Sequence, residues 1–502
     1  MKRLLAGIDI GTTGAKALII DERGAIRGKG SADYTFVTPR PNWAEQDPEM
    51  WWSGARRAIR AALAAAGGAS GDVAAVGFSG QMHSLVLLDG AGRVLRPAIL
   101  WNDQRTAEEC AEITRRVGLD RLIAITCNPV LPGFTAPKIL WIRRHEPAVY
   151  ARAAAVLLPK DYVRLRMTGT LATEVSDASG TSLLDVPRRS WSQEILQALE
   201  LPAEWLPPCA ESPVVTAAIG GIGAEATGLP AGTPVAGGGG DQAAGAVGMG
   251  VVSPGVVSVT IGTSGVVFAA LAQPTIDAQV RTHTFCHAVP GRWHVMGVML
   301  SAGGALRWLR DAIAPGEDYD RLATEAAEVP PGADGLVFLP YLTGERTPHP
   351  DPDARGAFVG LSLTHRRAHL VRAVMEGVSF GLRDSFEILR AMGIRVVQVR
   401  ASGGGAQSPV WRQILADVLH SEVVTMQVTE GAAYGAALLA GVGTGVFPSV
   451  EAACEQTLRS ASATAPVASH AAIYDSLYGT YRELYPALRP TFGHLASAVA
   501  QG

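Results

Sequence analysis

The chain has 502 residues, of which 48% are hydrophobic and 18% are charged, and its formal net charge at pH 7 is -3. Because single hydrophobic cores usually stop growing at ~250 to 300 residues, this length predicts two domains. The small negative net charge gives no excess of positive charge that would attract nucleic acid or anionic lipid, so we expect neither a nucleic acid nor a membrane among its partners.

The cysteines and the amino-terminal stretch indicate a cytoplasmic protein. The five cysteines are odd in number, widely spaced and free of any C-x-x-C pattern, which favours reduced thiols. The start MKRLLAGIDIG is interrupted by Asp9 and Gly11 far short of a signal-peptide core, and no stretch approaches the ~20 apolar residues of a membrane span. The histidines and cysteines also lack the ligand spacing of a structural zinc site.

The first predicted element is a β-hairpin. The apolar run LLAGIDI ends in the turn GTTG, and a second apolar strand, AKALIID, follows. Residues 255–271 repeat this arrangement as GVVSVTI, GTSG and VVFAAL, so that Gly262 stands half a chain length after Gly11. Two copies of one device at this distance indicate an ancient duplication.

A strand, a glycine turn and a helix are predicted at two further places. PVAGGGGDQAAGAVG begins at Pro234, and VRASGGGAQSPVWRQILAD begins at Val399. We interpret these segments as a second duplicated pair, one in each half. Strands alternate with helical patterns elsewhere, as in LVFLPYL before HLVRAVMEGVSFGLRDSFEIL, which predicts α/β domains with helices packed on mixed sheets.

A domain boundary is predicted near residues 247–255, where VGMGVVSPG breaks the pattern with glycine and proline. We therefore divide the chain into residues 1–248 and 249–502. The last predicted helix, IYDSLYGTYRELYPAL, could return to pack on the first domain.

The GTTG and GTSG turns have the composition of phosphate-binding turns. Glycine lets the backbone approach a ligand, and converging N–H groups with threonine hydroxyls suit phosphate oxygens. The alternative is an ordinary hairpin whose glycines and threonines serve turn geometry, although two copies at matching places weigh against it. The chain has neither GxxxxGK[ST] nor a strand–GxGxxG–helix with a later acid, which disfavours P-loop and Rossmann nucleotide sites.

Longer motifs resemble a known family. The GTTG and GTSG pair looks like the actin, sugar kinase and Hsp70 ATPase superfamily, and the segments at 133–145 (GFTAPKILWIRRH) and 356–376 (GAFVGLSLTHRRAHLVRAVME) are similar to signatures of the FGGY carbohydrate kinases. Its xylulose-phosphorylating members show similar segments in the same order, namely WAEQDPEMWW, GQMHSLVLLD, RPAILWND, LLPKDYVRLRMTG, GGGGDQAAGAVG, FCHAVPGRWHVMGVMLSA and FLPYLTGERTPH. The resemblance extends from Ile8 to about residue 440.

The resemblance implies an α/β fold of two duplicated, ribonuclease H-like domains of the actin-like type, with an interdomain cleft that clamps ATP. Residues 1–248 would form the sugar side and residues 249–502 the nucleotide side. The implied activity is phosphoryl transfer from ATP, with Mg²⁺, to a pentulose, first of all D-xylulose. Another ketose or polyol, such as ribulose or ribitol, is an alternative substrate, and we also consider a homodimer.

Two further alternatives belong to different functional classes. An actin- or Hsp70-like ATPase that binds protein partners is disfavoured by GQMH and GGGD, because such a protein has no acceptor hydroxyl to deprotonate. A sugar sensor without catalysis is disfavoured by the presence of both Asp241 and Asp9.

The resemblance also implies roles for two carboxylates. Asp241, in the GGGD motif, is implied to be the catalytic base that accepts the proton of the sugar hydroxyl. A helix N-cap is the alternative role for an aspartate at this place. Asp9, which ends the first strand, is implied to be a second catalytic residue that orients Mg²⁺ directly or through water; its alternative role is to stabilise the turn.

The remaining site residues follow from the same resemblance. Sugar contacts are implied for Met82, His83, Asp103, Asp241 and Gln242; phosphate or nucleotide contacts are implied for Gly11, Thr12, Thr13, Gly262, Thr263, Gly404 and Gly405. A Met-His pair would otherwise be attributed to core packing. Arg346, in TGERTPH, is left outside the site, because it could pair with Glu345 or a helix end.

Overall fold

The computed structural model describes residues 3–68 and 70–500. The strands of the first half are β1 (Leu4–Ile10), β2 (Gly14–Asp21), β3 (Ile26–Asp33), β4 (Glu45–Gln46), β5 (Val73–Gly80), β6 (Val86–Leu88), β7 (Ala98–Ile99), β8 (Ala155–Leu157), β9 (Thr173–Glu174), β10 (Leu184–Asp185), β11 (Ser190–Trp191), β12 (Cys209–Ala210), β13 (Val215–Ala218), β14 (Pro234–Ala236) and β15 (Gly239–Gly240). Its helices are α1 (Pro48–Ala65), α2 (Ala107–Val117), α3 (Leu119–Thr126), α4 (Thr135–His145), α5 (Pro147–Tyr150), α6 (Pro159–Thr168), α7 (Val175–Ala178), α8 (Gln193–Leu199), α9 (Gly221–Thr227) and α10 (Asp241–Gly248).

The second half follows the same alternation of strands and helices. Its strands are β16 (Val256–Ile261), β17 (Gly265–Leu271), β18 (His283–Cys286), β19 (Trp293–Met299), β20 (Val337–Leu339), β21 (Ala357–Val359), β22 (Gln398–Ser402), β23 (Val423–Met426) and β24 (Ser460–Thr464). Its helices are α11 (Gly303–Ile313), α12 (Tyr319–Ala327), α13 (Arg367–Ala391), α14 (Pro409–Leu419), α15 (Gly431–Gly443), α16 (Val450–Thr457) and α17 (Ala471–Ala500). Short 3₁₀ turns lie at Ser70–Asp72, Ser179–Thr181, Ala203–Trp205, Ala333–Gly335, Gly405–Gln407 and Ala468–His470.

Each half builds a mixed sheet, and within the described ranges each sheet has seven strands. The first has the order β13-β14-β5-β1-β2-β3, with β15 also pairing with β5, and the second has the order β18-β19-β17-β16-β22-β23-β24. The central strands β1 and β16 are short apolar runs buried on both faces, because helices cover both sides of the sheet. Both predicted hairpins are confirmed, since β1 pairs antiparallel with β2 and β16 with β17.

The two sheet orders correct the second predicted repeat. Read outward from the hairpin, β1-β5-β14-β13 corresponds to β16-β22-β23-β24. The segment from Val399 therefore corresponds to β5 and the GQMH turn, and the counterpart of GGGD with α10 is the start of α15. Our pairing of the two GGG-containing segments was wrong, because glycine turns at different places in the repeat share a composition without sharing a position.

Helix α10 of the first half and helix α15 of the second half are in close contact. Helix α15 packs on β1, β2 and β5 of the first sheet, while Ala246 at the end of α10 packs with Phe268 of the second sheet. A Cβ on Gly248 would lie 1.9 Å from the carbonyl oxygen of Gly431, and a Cβ on Gly435 would lie 1.9 Å from that of Ala244. Glycine at these positions lets the two helix backbones touch.

The final helix does not return to the first domain. Its tyrosines lie in the core of the second domain, where Tyr474 donates a hydrogen bond to Glu376 and Tyr478 donates one to Asp384 of α13. The period of the tyrosines in the sequence predicts an amphipathic helix but does not say which surface it covers. No helix in the part of the chain that the structure describes is both long and apolar enough to cross a membrane.

The helix crossing generates a stability prediction. Gly248→Ala should lower the free energy of unfolding by about 1 to 3 kcal/mol, because the added methyl group meets backbone rather than a movable side chain. The matched control is Gly479→Ala, on an exposed face of α17, where a Cβ meets nothing within 4 Å. Thermal melting should show a lower midpoint for the first variant and an unchanged or slightly higher one for the second; equal midpoints would contradict the account.

Candidate active site

Asp241 is the first residue of α10, and its carboxylate is not used as the helix cap. The N-cap is Gly240, whose backbone N–H donates to Ser176 Oγ at 3.1 Å. Gly238 has φ +85, and a Cβ there would lie 2.0 Å from the carbonyl oxygen of Phe78. The glycine run therefore brings the chain directly against β5, and it leaves the Asp241 side chain free at the end of the turn.

Two carboxylates influence each other at this place. Burial and, to a smaller extent, the negative charge of Asp9 raise the pKa of Asp241 to about 7, although hydrogen bonds from Gln242 oppose the rise. Burial also raises the pKa of Asp9, and among the described residues Asp9 Oδ1 has no hydrogen-bond partner. A carboxyl group with a pKa near neutrality can accept a proton and release it again at physiological pH.

The residues present fit a Mg²⁺ ion that is held mainly by a nucleotide. Mg²⁺ prefers oxygen ligands and commonly binds one or two carboxylates together with water and phosphates. The unpartnered Oδ1 atom of Asp9 offers such a ligand in the cleft. In the described ranges no group of three or more histidine, cysteine, aspartate or glutamate residues could form an all-protein metal site.

Met82 and His83 lie beside the glycine run. A Cβ on Gly240 would meet the Met82 side chain at 2.9 Å, so the two segments are in contact. His83 has φ +68, and its ring stacks on Phe134 with centroids 4.7 Å apart. These contacts bring the GQMH segment and Asp241 into one site.

The hydrogen bonds of His83 define its tautomer. Burial lowers the pKa of His83 to about 3, so the ring is neutral. Its Nδ1 atom lies 2.8 Å from the carbonyl oxygen of Gly180, and because a carbonyl can only accept, Nδ1 carries the proton. His83 Nε2 therefore has a free lone pair, which suits a hydroxyl donor.

Asp103 lies outside the site, which corrects the predicted sugar contact. Its side chain is fully buried and accepts hydrogen bonds from the Ala44 N–H at 2.7 Å and from the Arg105 guanidinium at 2.6 Å. Arg105 also pairs with Glu45 and stacks on Trp43. Both Asp103 oxygens accept hydrogen bonds inside the first domain. The position of Asp103 after a strand in RPAILWND therefore did not predict the direction of its carboxylate.

The two Thr-bearing turns occupy corresponding ends of β1 and β16. Gly11 N–H donates to the carbonyl oxygen of Gly14 at 3.0 Å, and Thr12 Oγ1 accepts from the Trp101 indole at 3.0 Å. Gly262 forms a similar turn, and Thr263 is exposed beside α11. Both turns present accessible polar groups.

Two cavities collect most of the predicted nucleotide residues. One of about 260 Å³ is lined by Gly262, Thr263, Gly404 and Gly405 together with side chains that the sequence analysis did not single out, namely Arg307, Tyr319 and Trp411. One of about 500 Å³ lies between α10 and the second sheet, and its walls include Asp241, Gln242 and Gly404. Among the described residues that line these two cavities, Gly11, Thr12 and Thr13 do not occur. Arg307, Tyr319 and Trp411 carried no local motif, since their placement depends on how α11, α12 and α14 pack.

This combination of duplicated α/β domains, a cleft between them and a neutral-range carboxylate on a glycine turn defines a phosphotransferase of the sugar kinase fold. The chain belongs to the FGGY family of carbohydrate kinases: the N-terminal domain of that family matches residues 4–248 and the C-terminal domain matches residues 257–444. It is thus an ATP-dependent sugar kinase.

Several relatives that are similar over nearly the full length are named xylulose kinases. The xylulose kinase of Escherichia coli (strain K12) is 43% identical over 96% of this chain and 99% of its own, and that of Bacillus subtilis (strain 168) is 40% identical over 96% and 97%. The crystal structure of xylulose kinase from Rhodospirillum rubrum has 35% sequence identity and a TM-score of 0.91, covering 98% of this chain and 100% of its own.

The corrected role of Asp103 generates a prediction. Asp103→Asn should lower the thermal midpoint, with a loss of roughly 3 kcal/mol, because it leaves the buried Arg105 charge without one of its partners. The KM for sugar should remain that of the wild type, since the carboxylate faces Ala44 and Arg105. Steady-state kinetics below the melting range would check this, and a raised KM without loss of stability would return Asp103 to the sugar site.

Proposed function

We propose that this chain phosphorylates D-xylulose with ATP to give D-xylulose 5-phosphate. The observation that carries the proposal is the contact between the Met82–His83 segment and the glycine turn of Asp241, which joins hydroxyl-binding groups to a carboxylate of suitable pKa. The names of the similar proteins support the choice of sugar. A homodimer and a cytoplasmic location stay predictions.

The proposed reaction assigns one task to each group. His83 Nε2 accepts a hydrogen bond from a sugar hydroxyl, and Met82 covers an apolar face of the sugar. Asp241 accepts the proton of the attacking hydroxyl as the oxygen–phosphorus bond forms and ADP leaves. Bound Mg²⁺ would neutralise charge on the phosphates, with Asp9 orienting it; the turns at Thr12 and Thr263 would donate N–H groups to phosphate oxygens.

Gln242 is the residue that most concerns the choice among sugars. It follows Asp241 directly and gives hydrogen bonds that lower the pKa of that carboxyl. Its amide can both donate to and accept from a sugar hydroxyl. We therefore keep other ketoses and polyols, including ribulose and ribitol, in the test of the substrate.

A coupled ADP-release screen tests the substrate. D-xylulose should give the highest kcat/KM among pentuloses, hexuloses and polyols, and ATP turnover should depend on added sugar. Asp241→Asn should reduce turnover by about 100- to 10,000-fold, because the amide cannot accept the proton. An Asp241→Asn variant that turns over near the wild-type rate would refute the assignment of Asp241 as the base. A higher kcat/KM for another sugar would refute D-xylulose as the substrate.

The raised pKa of Asp241 predicts a pH profile. Below pH 7 the carboxyl group is protonated and cannot act as a base, so kcat/KM should rise with pH and level off above a pKa of about 7. The residual rate of Asp241→Asn should lack this rise. This comparison distinguishes the titration of Asp241 from the titration of ATP, which affects both proteins. A flat profile for the wild type between pH 5.5 and 8.5, a range of about three units around the expected value, would contradict the assignment.

A further inference from the structure

Three rings from the two domains meet beside His83. Phe134 stacks on His83 in the first domain, and His283 of β18 in the second domain approaches Phe134 with ring centroids 5.9 Å apart. Phe285, also on β18, lies 6.0 Å from the His83 ring. The second domain therefore forms a wall of the space around His83.

His283 has unused hydrogen-bonding capacity in this wall. Its side chain is 6% exposed, and neither ring nitrogen has a hydrogen-bond partner in the described part of the chain. Burial lowers its pKa to about 3, so the ring is neutral and offers one donor and one acceptor. Buried polar groups without partners are costly, and such groups at a site are commonly satisfied by a ligand.

The guanidinium of Arg346 is a second polar group that has no hydrogen-bond partner among the described residues. Within residues 3–68 and 70–500, its guanidinium makes no hydrogen bond and has no carboxylate oxygen within 4.0 Å, and only its backbone N–H donates, to Glu345. Glu345, the expected partner, instead accepts from the backbone N–H groups of Leu300 and Arg346. The backbone around Arg346 is fixed nonetheless, because Thr347 accepts a hydrogen bond from Val298 N–H of β19.

His83, His283 and Arg346 share one electrostatic environment. The positive charge of Arg346 contributes to the lowered pKa of both histidines, one in each domain. Val298, to which the neighbouring Thr347 is hydrogen-bonded, packs on the hydrophobic cluster of Met82, Phe134 and Phe285, so the Arg346 segment of the second domain lies beside the sugar side of the cleft.

We infer that Arg346 and His283 are substrate-binding residues that the second domain supplies to the sugar pocket. This inference rests on the proposed function, because the ligand it names is the sugar. The five N–H donors of Arg346 and the donor and acceptor of His283 match the hydroxyl and carbonyl oxygens of a ketose. Sugar bound between His83 and these groups touches both domains, so its binding energy also holds the cleft closed.

Titration calorimetry of purified variants tests the role of Arg346. Arg346→Gln should weaken D-xylulose binding about tenfold or more, because a hydrogen bond to a charged group is lost, while ADP binding should change less than about twofold. The D-xylulose affinity of Arg346→Lys should lie between those of the wild type and Arg346→Gln, since lysine keeps the positive charge and loses the planar guanidinium. The matched control is Arg355→Gln, an exposed arginine of the same segment that bonds to nearby carbonyl oxygens and should bind D-xylulose like the wild type.

His283→Phe separates binding from packing. Phenylalanine keeps the ring contacts and removes both unpartnered nitrogens, so the thermal midpoint should rise while D-xylulose affinity falls. His294→Phe is the control: both His294 nitrogens are likewise without partners among the described residues, but its ring contacts Phe268 and Phe285 of the second domain. It should share the stability gain and keep the wild-type affinity.

The outcomes distinguish the inference from the proposed function. Wild-type affinity for D-xylulose in both Arg346→Gln and His283→Phe would overturn the inference and leave the substrate standing. A wild-type protein that does not bind D-xylulose would refute the substrate, and the same comparison would then be made with the sugar that the screen identifies. Equal loss of sugar and ADP affinity in Arg346→Gln would indicate a structural role and would also overturn the inference.

Discussion

The backbone contact between α10 and α15 is the constraint on which the cleft depends. Gly248 and Gly435 allow the helices to touch, and this contact fixes α10 relative to α15 and to the first sheet, on which α15 packs. Asp241 is the first residue of that helix, so its distance from Asp9 follows from how closely the helices approach. A side chain at the crossing would separate the helices and move the carboxylate with them. Glycines thus act at both ends of this short helix. Gly238 allows the preceding turn to contact β5, and Gly248 allows the end of the helix to contact α15.

The site combines groups whose hydrogen bonds are complete with groups whose hydrogen bonds are not. His83 Nδ1 donates a hydrogen bond to the Gly180 carbonyl oxygen, and the Gly240 N–H donates one to Ser176 Oγ. Both hydrogen bonds hold the site in one geometry. Asp9 Oδ1 and the His283 ring nitrogens have no such partner among the described residues. In a buried setting these free groups cost stability, and a bound ligand that satisfies them recovers the cost as affinity. The protein is thus less stable without substrate than its core would permit.

Sequence patterns predicted what is local and repeated. The hairpins around Gly11 and Gly262 follow from apolar runs broken by glycine, and Asp241 at a helix start follows from GGGD before a run of small residues. The motifs of the family predicted sugar contacts for Met82 and His83, and the structure brings their segment against the glycine turn before Asp241. What failed depends on packing across long stretches of chain: Asp103 pairs with Arg105 and with the backbone of Ala44, and no spacing rule encodes that direction. The side-chain pairing of Arg346 with Glu345 that the sequence suggested is not formed either, because Glu345 accepts hydrogen bonds from the backbone N–H groups of Leu300 and Arg346.

The packing of α15, a helix of the second half, on the sheet of the first half bears on how such a chain could arise. Helix α15 of the second half packs on one face of the first sheet, whereas α1 of the first half covers the other face, so residues from both halves bury this sheet. A single ancestral half would have needed a second copy of itself to supply the missing helix, which describes a domain-swapped homodimer. Gene fusion would then have replaced a concentration-dependent association by a covalent link, and the two copies could diverge, one toward the acceptor and the other toward the donor of the phosphoryl group.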